Sequence, residues 1–244
     1  MVTVDSQKLD TLHDWEEYLA PQVQQIELLG EITLTEAETQ QLGRRFGQLI
    51  RAHRGWGLLK ICELIRKKYA CAFAVFLVSQ GVHDVDAING FWPDVDQTLG
   101  QKLNITWHRE FGLLFEEILQ AIGLPEFPDA GGYRYVSRIL LHGGILNYSL
   151  KDYFSHLLRP AVDRRDYQTL APDELIEEWL HYGAGRFVID KPVLRFLEFG
   201  GQVAIDFVER TRELAQEFLE SKLVPPAEQI GLPERVIEGF HKWA

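Results

Sequence analysis

The chain has 244 residues, 46% apolar and 25% charged, with a formal net charge of −11. A chain of this length buries most of its unfolded surface without staples, and its two cysteines, Cys62 and Cys71, are too few for a disulfide framework or a cysteine metal site. The acidic balance disfavours indiscriminate binding to phosphate backbones.

Residues 1–17 are polar and acidic, the wrong composition for a signal peptide. Thr35 followed by Glu38 spells a capping box and predicts a helix through about Ala52. From Arg44 to Lys68 the chain carries eight basic residues (Arg44, Arg45, Arg51, Arg54, Lys60, Arg66, Lys67, Lys68) against one acid, Glu63. That window is +7 and leaves −18 to the remainder. Within it Leu58, Ile61, Cys62 and Ile65 follow helical spacing, and Trp56 stands between Gly55 and Gly57. Residues 69–78 form the most apolar run, about half the roughly 20 residues that span a bilayer. A soluble, cytoplasmic protein with reduced thiols is the expectation.

Farther along, Phe91-Trp92-Pro93 predicts a loop that gives way to a helix at Pro93. Phe111, Leu114, Phe115, Ile118, Leu119 and Ile122 make an amphipathic stripe that Gly123-Leu124-Pro125 ends. Ser149 with Asp152 predicts a capped helix start, and Pro172 with Asp173 and Glu174 another near Leu170. Phe187-Val188-Ile189 is the one short extended piece. Ala204, Phe207, Val208, Leu214, Ala215, Phe218 and Leu219 make a second long stripe, which Pro225-Pro226 stops. Residues 234–244 read as a helix without a stop signal, which fits either a docked helix or a fragment of a longer, multidomain protein.

No segment sustains period-two alternation between turn residues, so the fold class is all-α, a multi-helix globular domain. A single domain over 1–244 is expected, with an N-terminal subdivision at 1–66 bearing the basic segment and a helical body at 67–244. Three apolar stretches close on glycine: Phe76-Leu77-Val78-Ser79-Gln80-Gly81, Ile139-Leu140-Leu141-His142-Gly143-Gly144 and Phe196-Leu197-Glu198-Phe199-Gly200-Gly201. Gly81, Gly143, Gly144, Gly200 and Gly201 are therefore read as structural stops, in a degenerate helical repeat of about 60 residues. Ile122-Gly-Leu-Pro125 and Ile230-Gly-Leu-Pro233 are a second echo.

Catalytic signatures are weak, and the balance leans away from an enzyme. Ser149, His142 and Asp152 lack a nucleophile elbow. His53 with His83-Asp84 resembles the ligand order of HD-type metal phosphohydrolases, which would hold a divalent ion, but its placement after Gly81 predicts a loop. No cofactor is implied. The functional expectation is a non-catalytic protein–protein interaction or scaffold module. Arg51, Arg54, Trp56, Lys60, Arg66 and Lys67 would form a patch for a partner with an acidic surface. The alternative is nucleic-acid binding through the same segment, 44–68, with the cations on phosphates and Trp56 stacked on a base.

Overall fold

The computed structural model of the chain describes residues 9–83, 87–128, 134–186, 189–222 and 230–244. The fold is all-α: among the described residues there are helices and no strand. No helix among them is long and apolar enough to cross a membrane. The chain divides into two compact units, Met1–Gln80 with Asn89–Glu126 and Gly81–Ile88 with Phe127–Ala244.

The first unit is built on α1 (Leu12–Val23), α2 (Glu36–Ala52), α3 (Leu58–Lys68), α4 (Ala70–His83), α5 (Ala87–Leu99) and α6 (Ile105–Ile122). The predicted capping box opens α2: Thr35 Oγ1 accepts from Glu38 N, and Glu38 returns a carboxylate to Thr35 N at 2.8 Å. A similar box from Thr11 and Asp14 opens α1. α3 buries Ile61, Cys62 and Ile65, the expected stripe. Tyr69 breaks the path into α4, whose first free N–H groups are capped from a distance. Glu16 of α1 accepts from Cys71 N at 3.1 Å and Ala72 N at 2.8 Å. The apolar run continues as Ala72 to Val78, all buried, so it is a core helix. Phe73 packs edge-on against both Phe46 and Phe111, at 5.2 and 5.1 Å between centroids.

Two glycines let α2 and the end of α5 approach closely. A Cβ on Gly47 would lie 1.9 Å from the Leu99 carbonyl oxygen, and one on Gly43 2.4 Å from Thr98 Cγ2. One turn farther along the same row, Arg51 donates to Leu99 O at 3.0 Å and to Gly100 O. The row Gly43, Gly47, Arg51 thus grips the last turn of α5. Within α5 the expected loop is absent. Pro93 lies inside the helix, because burial of Phe91 and stacking of Trp92 on His108 outweigh the missing amide bond. α6 ends as predicted, at Gly123 with φ +76, and Leu124 N reaches back to Leu119 O.

The second unit contains α7 (Arg134–His142), a 3-10 turn at Asn147–Ser149, α8 (Leu150–Asp152), a π-helical stretch (Tyr153–Leu158), α9 (Arg159–Asp163) and α10 (Arg165–Gln168). It continues through α11 (Pro172–Arg186), α12 (Lys191–Phe199), α13 (Gly201–Ser221) and α14 (Glu234–Trp243). The π stretch has a local cause. Pro160 has no N–H and its ring crowds the carbonyl four residues back, and the preceding turn widens so that Arg159 N bonds Phe154 O. Helix α14 docks: Phe240 packs on Phe154 and Phe218 at 5.6 and 5.7 Å, and Trp243 Nε1 donates to Ser155 Oγ at 3.1 Å.

The structure departs from several sequence expectations. The three glycine endings do not mark equivalent boundaries. Gly81 lies inside α4, which its buried apolar face carries past the glycine to His83. Gly144 does follow a helix end, at φ +64, while Gly201, at φ +53, begins α13 directly after α12. Ser149 does not cap α8: its hydroxyl donates to Asp190 Oδ2 at 3.0 Å, a stronger, charge-assisted partner. The echo at 122–125 and 230–233 has a local counterpart, since Gly123 and Gly231 both have positive φ and each precedes a buried leucine. Phe187, Val188, Pro225 and Pro226 lie outside the described residues.

Candidate functional site

The first unit carries an open groove of about 690 Å³, lined by Ile50 and Arg54 at the end of α2, Trp56, Ile61 of α3, residues 101–105, and Trp107 of α6. Each wall has an identifiable origin. His53 Nδ1 donates to the Leu49 carbonyl at 2.8 Å, and the Trp56 indole packs edge-on to the His53 ring at 4.3 Å. The opposite wall is the loop from Gly100, at φ +68, to Asn104, which caps α6 by accepting from Thr106 N and Trp107 N. Arg51 fixes the loop's first residue from α2. Behind it, Gln101 N donates to Asp96 O, and the half-buried pair His108 Nε2 and Asp96 Oδ1 meets at 3.0 Å under the stacked Trp92 ring. Trp107 stands edge-on to buried Phe111 at 5.6 Å.

The groove is apolar at its base and cationic at its rim. Trp56 is 48% exposed and Ile105 78%; Leu59, in the first turn of α3, is 70% exposed. No Asp or Glu lines it. Arg54, Lys60 and Lys102 have no ion-pair partner among the described residues, since the ion pairs run elsewhere: Arg66 to Glu117 at 3.5 Å, Lys67 to Glu63 at 2.6 Å, and Arg45 to Asp10 at 3.9 Å. Gln101 Nε2 is buried at the groove with no hydrogen-bond partner.

Of the six residues singled out in the basic segment, the structure therefore brings two together at the groove, Arg54 and Trp56. Lys60 is exposed in the first turn of α3. Arg51 serves as a brace to α5, Arg66 pairs across to Glu117 of α6, and Lys67 pairs with Glu63 along α3. Sequence reasoning did not single out Lys102, Ile105 or Trp107. A signal for Ile105 exists: it directly follows an Asn cap and is out of phase with the Phe111–Ile118 stripe, as Leu59 is with that of α3.

Other chemistry is less developed. His53 spends Nδ1 on a carbonyl, His83 is the last residue of α4 and so helical rather than in a loop, and Asp84 lies outside the described residues. Among the described residues no three His, Cys, Asp or Glu side chains converge as metal ligands would. His142 is buried against Phe127 at 4.8 Å. Burial pushes the thiols of Cys62 and Cys71 up to about 12, so both are protonated and unreactive at neutral pH. No known protein family, curated protein or solved structure matches the chain.

Proposed function

We propose that the protein is a non-catalytic, cytoplasmic protein–protein interaction module that uses the groove between Trp56 and Ile105 to hold an acidic segment of a partner. The observation that carries this reading is the pairing of exposed apolar surface with unpaired cations. Trp56 and Ile105 offer area that gains about 25 cal/mol per Å² when covered, and Arg54 and Lys102 line the groove with no Asp or Glu beside them in its walls. Opposite charge on the partner would steer its approach, and the indole would supply the desolvated anchor. Two buried, unpaired thiols agree with a reducing compartment.

The test is a displayed library of random peptides of about 18 residues selected on the intact protein. Enriched peptides should combine Asp or Glu with large apolar residues. Trp56→Ala should weaken them about thirtyfold or more, and Arg54→Glu with Lys102→Glu should abolish the acidic preference. Both variants should keep the wild-type melting temperature, because these side chains are exposed. Enrichment indifferent to all three substitutions would refute the reading. Tight, Trp56-dependent binding of labelled single-stranded oligonucleotides at low salt, with no acidic peptide enriched, would assign the groove to nucleic acid instead.

A further inference from the structure

Resting on that groove reading, the geometry points to the form of the occupant: we infer that the groove takes an amphipathic α-helix of a partner protein, apolar along one stripe and acidic on its flanks. The inference follows from what the walls can do for a bound backbone. An extended peptide brings an N–H and a C=O at every residue, and each needs a partner once water is removed. Extended peptides usually obtain those partners from the open edge of a sheet. Among the described residues there is no strand, so the groove has no such edge. Some of the polar groups around it are already engaged: Asn104 Oδ1 accepts from the first N–H groups of α6, Gln101 N donates to Asp96 O, and Arg51 donates to the carbonyls of Leu99 and Gly100.

The charged groups that line the groove are side-chain donors, Arg54 and Lys102. Donors suit carboxylates, and they cannot satisfy the N–H groups of an extended chain. A helix satisfies its own backbone and presents only side chains, so it meets this surface at least cost. Its stripe at i, i+3 or i+4, and i+7 would cover Trp56, Trp107 and Ile105. Asp or Glu beside the stripe would face Arg54 and Lys102.

Two peptide libraries of equal length and composition separate this inference from the groove reading beneath it. One places apolar residues at helical period with Asp and Glu between them; the other alternates them at period two. Both are selected on the intact protein, and binders are kept only if Trp56→Ala weakens them at least tenfold. The expected result is that the retained binders come from the helical-period library and gain helical circular dichroism on binding. A proline placed mid-peptide should cost them about a hundredfold. Lys102→Glu should weaken them severalfold while leaving the melting temperature unchanged, since Lys102 is exposed and lines the groove. Retained binders drawn from the period-two library would overturn the helical occupant and leave the groove standing. An absence of Trp56-dependent binders from both libraries would sink the groove and the helix together.

Discussion

Arg235 is a charged side chain held inside the second unit. It sits in the first turn of α14, is buried, and donates to the carbonyls of Gly143 and Ile145 and to Asn147 Oδ1. Burial pulls the guanidinium down to about 10, well above neutral pH, so it remains charged there. What favours the buried cation is the place it occupies: the loop just past α7, where buried carbonyls accept its N–H groups and the negative helix end lies close. Arg235→Met would leave those carbonyls without their donor, and should cost about 3 kcal/mol in urea unfolding. Arg235→Lys should recover only part of it, because an ammonium does not match two carbonyls with a planar fork. Equal midpoints for wild type and Arg235→Met would show that the clamp is not stabilising. None of this is visible in the letters Pro-Glu-Arg-Val, where an arginine in a first helical turn reads as surface. Its burial depends on a loop some ninety residues earlier in the chain. Trp56 is the opposite case. Its flanking glycines and basic neighbours mark it as a candidate for exposure, and the structure leaves it 48% exposed.

At the scale of elements, local rules account for most of the fold and long-range contacts for the rest. The stripes of α3 and α6, the α13 stripe as far as Ala215 and the capping box of α2 lie where helical period and cap chemistry put them, because these depend on residues within one or two turns. Leu219, at the far end of the expected α13 stripe, is instead 48% exposed. The failures share a physical form. Pro93 and Gly81 were read as boundaries from their own backbone preferences, and burial of the surrounding apolar face carried the helices through both. The groove was half legible for the same reason. One wall is a contiguous basic segment, while the other belongs to the 100–104 loop and exists only because α2 and α5 pack closely. That packing depends on Gly47, where an added Cβ would meet the Leu99 carbonyl at 1.9 Å. Gly47→Ala should therefore destabilise the protein by about 2 kcal/mol and displace the loop, weakening groove ligands as well. Gly55→Ala, beside Trp56 with nothing within 4 Å, should change stability by no more than about 0.5 kcal/mol. Thermal melts of the two variants check this, and a Gly47→Ala protein as stable as Gly55→Ala would mean that the helices have room to separate.

Over the whole molecule the charge is divided unevenly, and this bears on how any partner approaches. The window 44–68 is +7 while the remainder is −18, so a polyanion that contacts this surface also meets a predominantly acidic protein. A long nucleic acid would feel much of that repulsion. A short segment with a few carboxylates beside an apolar stripe would feel chiefly the local cations, Arg54, Lys60 and Lys102. The screening length falls from about 10 Å at 0.1 M salt to about 3 Å at 1 M. Charges a few ångströms apart in the docked state are less affected than charges attracting across open solvent. The association rate of a groove-selected acidic peptide should accordingly fall by roughly tenfold over that range, while its dissociation rate, set by contact with Trp56 and Ile105, changes by less than about threefold. Stopped-flow measurement of both rates against salt decides it. An association rate indifferent to salt would mean that the rim cations do not steer the partner. A dissociation rate that rises as steeply as the association rate falls would mean that charge, and not the apolar base of the groove, holds the complex together.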